Sequence, residues 1–366
     1  MNRRRLLLYL GSIVAACLIV LPLDLGAQGP KSLPARVSDR EFWKMVSEFS
    51  EPNGFFRSDN LLSNEFRLQD VIPDLLKTAK TGGVYMGVGP EQNFTYIAAL
   101  KPALAFIVDI RRGNLDLQLL YKALFELSAE RAEFVSRLFA RERPEGLNAQ
   151  STVQDIFAAY AHLPKSDALY AKTLKAIQNH LATKHGFTLS KEDLDGIEYV
   201  YQAFATFGPE IQYSSTGRGG FGGGFGGGYG PPFPQISYAD LMTATDADGR
   251  ARGYLAEEGS FAFLKKLETN NLIVPVVGDF AGPKAIRSVG GYLKEKGATV
   301  SAFYLSNVEM YLMRSGSWDS FCANVATLPL DGTSTFVRSL RGGRFGPGGG
   351  LASELGSMEA ETSACK

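Results

Sequence analysis

The chain has no surplus of charge: Lys and Arg number 38, and so do Asp and Glu. A protein that coats nucleic acid needs excess positive charge for the phosphates, so no nucleic-acid partner is expected. Cysteine is scarce too, and three residues in 366 cannot staple a small scaffold with disulfides. There is no CxxC pair, no GxSxG nucleophile elbow and no Walker A loop. Histidine occurs only at His162, His180 and His185. None forms HExxH, and residues five apart do not share an α-helical face as i,i+4 ligands do. Three surface histidines and no metal site are therefore expected. Asp246-Ala247-Asp248-Gly249 starts like a calcium loop, but the bidentate position falls on Leu255, so it reads as an Asp-Gly turn.

Long apolar runs are rare, and the exception lies at the N-terminus. Arg3, Arg4 and Arg5 precede an uncharged stretch from Leu6 to Leu23, which Asp24 ends. A basic segment followed by an apolar one is the layout of an export signal. Residues 1–27 are expected to be a signal peptide cleaved after Ala27, or a signal anchor held in the membrane. Val14-Ala15-Ala16-Cys17 has the form of a lipobox, and Arg3-Arg4-Arg5-Leu6-Leu7 that of a twin-arginine signal. In every version the arginines stay in the cytoplasm and the rest of the chain lies outside, periplasmic or anchored facing outward. Export permits disulfides, so Cys322 and Cys365 either pair or remain free thiols.

What the chain has in plenty is apolar residues, 45%, and Gly, 40 residues. Residues 28–39 read as a tether. Ser38 and Glu41 match a capping box ahead of a first amphipathic helix, and a second starts near Leu68. Val84–Val88 is a short apolar run bounded by glycines, hence a buried strand. A helix with Phe94, Ile97 and Leu100 follows, then an apolar run from Ala103 to Val108 ending at Asp109. Asn114 is expected to cap the next helix. This β-α-β-α order marks a parallel sheet. Residues 130–207 form a helical insertion without strands. Gly217–Gly230 holds ten Gly in fourteen residues, and residues 217–232 read as a flexible loop. The α/β pattern resumes with a strand at Leu272–Val277, a helix with Pro283 near its start, and a strand at Ala298–Leu305. Asn324–Leu330 and Thr333–Leu340 are expected to form the last strand pair around Asp331-Gly332. The α/β domain spans residues 40–341, with residues 342–366 as a mobile tail.

The sharpest candidate site lies between Val84 and Asp109. A strand leads into Gly87-Val88-Gly89, then a helix, then a strand ending in an acid. In doubly wound folds this order sets backbone N–H groups and a helix N-terminus beside a ligand, and the acid reaches a ribose hydroxyl pair. Val84-Tyr85-Met86-Gly87-Val88-Gly89 resembles motif I of class I S-adenosylmethionine-dependent methyltransferases. With residues 277–284 and 303–309, it also resembles a family of uncharacterised bacterial proteins with that fold, over roughly residues 40–355. The resemblance implies a doubly wound, mostly parallel, methyltransferase-like sheet. It implies S-adenosylmethionine, or another nucleoside-like ligand, held by Gly87, Gly89 and Glu91, with Asp109 on the ribose. It places Asp279 on the substrate side as the candidate catalytic residue. Two departures stand out: Tyr85 replaces the usual acid, and Glu91 replaces the third Gly. An acid at Glu91 suits a cationic amino group or sulfonium and would repel a pyrophosphate, which disfavours NAD. Two functions follow: a non-catalytic envelope protein that binds a small molecule or a partner, or a methyltransferase.

Overall fold

The computed structural model describes residues 32–217, 236–341 and 351–365. The expected export segment and nearly all of the Gly-rich loop lie outside these residues. Among the described residues no helix is long and apolar enough to cross a membrane.

The described residues form fourteen α-helices and six strands. The first part holds α1 (Asp39–Phe49), α2 (Ile72–Thr78), β1 (Val84–Gly87), α3 (Gln92–Leu100), β2 (Leu104–Asp109) and α4 (Arg112–Leu127). A helical stretch follows: α5 (Arg131–Phe139), α6 (Val153–Tyr160), α7 (Asp167–Asn179) and α8 (Lys191–Phe207). Next come α9 (Tyr238–Thr243), α10 (Glu258–Thr269), β3 (Ile273–Val277), α11 (Ala285–Glu295) and β4 (Val300–Ser306). The chain continues through α12 (Val308–Arg314), α13 (Trp318–Val325), β5 (Thr335–Arg341), β6 (Leu351–Ser357) and α14 (Met358–Thr362).

The strands form one sheet in the order β3-β2-β1-β4-β5-β6. The first five pair in parallel, and β6 runs antiparallel to β5. Every residue of β1, β2 and β3 is buried, as a parallel sheet covered on both faces requires. One group of helices, α1 and α11, packs on β3 and β2, and a second group is built on α3, α4 and α10. Right-handed crossovers put the two groups on opposite faces. The order reverses at β1, whose connection runs to β2 while β4 lies on its other side. Such a reversal opens a crevice at the C-terminal ends of the strands.

Local chemistry explains several element ends. Ser38 caps α1 by accepting from the Glu41 N–H at 3.2 Å. Ser190 and Asp193 form a reciprocal capping box at α8. Three expectations need correction. Asn114 sits inside α4, which starts at Arg112. Residues 318–325 are helical where a strand from Asn324 was expected, and Pro329 falls in the loop that follows. The antiparallel partner of β5 is therefore β6, from the segment read as a mobile tail. Its Leu-Ala-Ser-Glu-Leu-Gly-Ser sequence carries a weak apolar signal, and the ladder to β5 supplies the order. Of the two alternatives for the cysteines the paired one holds: Cys365 is bonded to Cys322 of α13, with Cα atoms 5.6 Å apart. That bond ties the end of the chain to the domain.

Candidate functional site

The crevice at the strand ends is where a ligand of a doubly wound fold would sit, so its lining decides what the site can do. Gly89 has φ +79°, a left-handed conformation that glycine adopts without a Cβ penalty. Gly87 needs to be glycine for space. A Cβ there would run into Asn93 Oδ1 and the Tyr85 ring. The neighbour that demands the small residue is thus the chain's own Asn93. That amide donates to the carbonyls of Val88, Gly89 and Pro90 at 2.8–3.2 Å. It also accepts from Tyr85 Oη at 2.9 Å. The Gln118 amide donates to Gly89 O at 3.1 Å. The glycine turn is thereby cross-braced from within, and Tyr85 has a structural partner.

Asp109 ends β2 as expected, and it is buried. Both carboxylate oxygens are taken by Arg111: Nε reaches Oδ1 at 3.0 Å and Nη2 reaches Oδ2 at 2.8 Å. The Arg111 N–H adds a third bond at 2.9 Å. The guanidinium extends to the carbonyls of Ser58 and Asp59. Such a two-pronged pair satisfies the acid completely.

Residues 50–65 have no helix or strand, and they cross the crevice like a strap. The Glu51 N–H bonds Val277 O at the end of β3, and the Gly54 N–H bonds Ile110 O after β2, both at 2.8 Å. The Ser63 N–H donates to the Glu91 carboxylate at 3.0 Å. Glu65 then reaches β4 and β5. It accepts from Tyr304 Oη at 2.7 Å, from Ser306 Oγ at 2.5 Å and from Ser339 Oγ. The strap passes β3, β2, β1, β4 and β5 in their order in the sheet.

Burial sets the electrostatics here. It pushes the Glu91 carboxyl up to about 7, against the Ser63 bond that works to lower it. It raises Glu65 as well, against the three hydroxyls. On the first turns of α4, burial and the nearby Asp193 carboxylate push Asp116 up to about 8. Gln92 Oε1, Asn114 Oδ1 and Gln118 Oε1 are buried without a protein partner. Each is an acceptor that an internal water can satisfy.

The expected site residues therefore divide. Gly87, Gly89, Glu91 and Asp109 do lie together at the strand ends. Glu91 faces Ser63 of the strap and Asp109 faces Arg111. Asp279 stands apart on the loop after β3, exposed, with its Oδ1 accepting from the Ala281 N–H at 2.9 Å. An open hollow of about 680 Å³ next to this loop is lined by Gly282, Arg287, Asp319 and Asn324, and none of the glycine-turn residues reaches it. Sequence reasoning missed Glu51, Glu65 and Arg111. Glu51 accepts from the N–H groups of Asp279, Lys284 and Ala285 at 2.7–3.0 Å, filling the anion position ahead of α11. No motif announces such acids, because their partners lie 228 to 274 positions away.

The histidine expectation holds for His162, which is exposed, and fails for the other two. His180 is buried and bonds Glu126, and so does His185. Residues His180–Lys184 form a π-helix, whose i to i+5 repeat brings the two rings to one side.

No curated protein matches the chain closely enough to count as a relative. A family described as "Domain of unknown function (DUF7790)" matches residues 61–193 and 236–353. Those spans contain all of β1 to β5, the glycine turn, Arg111 and Glu65. Since they cover more than half of its length, the chain belongs to the DUF7790 family.

Proposed function

We propose that this is an exported, non-catalytic binding protein of the cell envelope, whose α/β domain closes its strand-end crevice with its own chain. One observation carries the reading: this chain's own groups occupy the places a ligand would take. A nucleoside needs a free Asp109 carboxylate and open space at Gly87 and Gly89. Arg111 takes the carboxylate, Asn93 crowds Gly87, and Gln92 and Asn60 of the strap lie beside Gly89. S-adenosylmethionine therefore does not fit the residues as they stand, and no methyl-transfer step is derived. Export is supported by the basic-then-apolar pattern of residues 3–24 and by the Cys322–Cys365 bond, since disulfides persist in oxidising compartments.

The alternative is a methyltransferase whose strap leaves before the cofactor enters. The β1-α3-β2 order with an acid at its end favours it. Thermal shift and calorimetry with S-adenosylmethionine, S-adenosylhomocysteine and adenosine separate the two. A ligand at a hundred times its Kd raises stability by about 2.7 kcal/mol. We expect no rise with any of the three, and a rise with either sulfur compound would replace this reading by the alternative. A C-terminal alkaline phosphatase fusion tests export in a Gram-negative host. Activity is expected, and activity of a cytoplasmic reporter alone would remove the envelope from the proposal.

A further inference from the structure

The edge of the sheet opposite the crevice carries a cluster that the strap does not touch. Glu126 lies at the end of α4, His180 and His185 bracket the π-helical turn after α7, and Asp39 opens α1. Asn271 stands just before β3. The two imidazoles aim Nε2 at one and the same oxygen, Glu126 Oε2, at 2.9 and 3.0 Å. All three potential ligand atoms lie within 4.8 Å of one another. Around a single Zn²⁺, with bonds of about 2.0–2.2 Å, neighbouring ligand atoms stand roughly 3.3 Å apart. The cluster needs only a small spreading to reach that shape.

We propose that Glu126, His180 and His185 bind one divalent transition-metal cation of the Zn²⁺ class, which clips the helical insertion to α1 and α4. Four observations carry this. The donor set is two imidazole nitrogens and one carboxylate oxygen, which suits Zn²⁺, Co²⁺ or Ni²⁺ rather than the oxygen-seeking Mg²⁺ or Ca²⁺. The far nitrogen of His185, Nδ1, bonds Asp39 Oδ1 at 2.6 Å, and Asn271 Nδ2 holds that oxygen at 2.9 Å. A carboxylate behind a histidine is the arrangement that points Nε2 at a metal. The π-helical turn is a rare conformation, and here it produces the pairing of the rings, with centroids 5.0 Å apart. Charge agrees as well. Asp39 and Glu126 face one buried ammonium, Lys122, whose Nζ lies 2.8 Å from Glu126 Oε1. With neutral imidazoles the buried groups keep one negative charge, which a bound cation offsets in place of the exposed Lys184 ammonium 3.8 Å from Glu126 Oε2. Lys184 at the rim is well exposed, so solvent can supply the fourth ligand. The position at the sheet's N-terminal edge, away from the crevice, makes the role structural.

The test uses the full chain without a polyhistidine tag, freed of metal with a chelator. Co²⁺ is titrated by visible absorption and Zn²⁺ by calorimetry, and bound metal is counted by mass spectrometry. One equivalent per chain is expected, with the visible bands of four- or five-coordinate Co²⁺. His180→Gln with His185→Gln should weaken Zn²⁺ binding by at least a hundredfold. Asp39→Asn, which leaves all three ligands in place, should weaken it about tenfold. His162→Gln should leave it unchanged. No stoichiometric binding by the wild type would overturn the proposal. So would full binding by the double variant, or loss of binding on changing His162. If the double variant does not fold, the wild-type Co²⁺ spectrum and Asp39→Asn decide the matter. Absent bands, or an affinity unmoved by Asp39→Asn, would then overturn it.

Discussion

Two pairs of acids, one at each edge of the sheet, are handled in opposite ways. At the C-terminal edge, Glu65 and Glu91 meet neutral donors: three hydroxyls for one, a backbone N–H for the other. Burial wins there, and both carboxyls are raised. At the N-terminal edge burial works to raise Glu126 and Asp39 too. Hydrogen bonds from His180 and His185 with the Lys122 ammonium outweigh it at Glu126, and the Asn271 amide with His185 and Lys122 outweighs it at Asp39, holding both below the usual carboxylate range. Hydrogen bonds favour the ionised carboxyl at both edges; at Glu65 and Glu91 they do not offset full burial, whereas at Glu126 and Asp39 the hydrogen bonds together with the Lys122 charge do. Glu65 and Glu91 thus lean toward the protonated form as they latch the strap, and Glu126 and Asp39 lean toward the anion.

The most disruptive single change should be Asp109→Ala. It strands the buried Arg111 guanidinium, and breaking a buried pair from one side costs about 3–5 kcal/mol. Urea unfolding would measure this. A loss below about 1 kcal/mol would mean that the strap carbonyls alone satisfy Arg111, and the crevice would be looser than described.

Next in size is a pH effect. Glu91 rises from 4.5 to about 7 on folding. A raised carboxyl favours the protonated fold, so its stability contribution is complete below pH 4.5 and is lost as pH climbs through 7. The loss is on the order of 3 kcal/mol. Glu91→Gln cannot ionise, so its stability between pH 5 and 8 should fall less steeply than that of the wild type. Parallel profiles for the two proteins would contradict the burial argument. Glu126 has the opposite sign: its contribution is present above pH 4.5 and fades as pH falls below that value.

A smaller effect is expected of Glu51→Gln. The side chain keeps an acceptor for the N–H groups before α11 but loses the charge that favours them, at a cost of about 1 kcal/mol. Chemical denaturation resolves that, and an unchanged midpoint would show that the charge adds nothing. Asp279→Ala should cost least, under about 1 kcal/mol, because its side chain accepts one bond in an exposed turn. A larger loss would place Asp279 among the latching acids.

These contrasts also show what the residue pattern could reveal. The β1-α3-β2 unit, the strandless stretch up to α8 and the start of α1 were legible, because period and caps are local signals. Ser38 followed by Glu41 announces a helix start wherever that spacing occurs. The strap was not legible. Residues 50–65 have no period, and their bonds run to β3, to Ile110 after β2, to Glu91 after β1, and to β4 and β5, so only the finished sheet reveals their role. Asp109 was found for the right reason, its place at the end of β2. Its partner Arg111, two positions on, was overlooked because a ribose was expected there. The His180–His185 pair was dismissed by assuming 3.6 residues per turn, and one π-helical turn reverses that conclusion. At β6 the alternation was too weak to compete with the flanking glycines.

The bond between Cys322 and Cys365 turns the last stretch of the chain into a covalent ring that carries β5 and β6. A peptidase that cuts once anywhere between residues 323 and 364 therefore releases nothing. The severed piece stays joined through the sulfurs and stays laid against β4. On a gel the nicked protein would run as one band until reductant is added, then as two. In a compartment where peptidases meet no reductant, the ring lets the domain keep its outermost strands after the backbone has been broken.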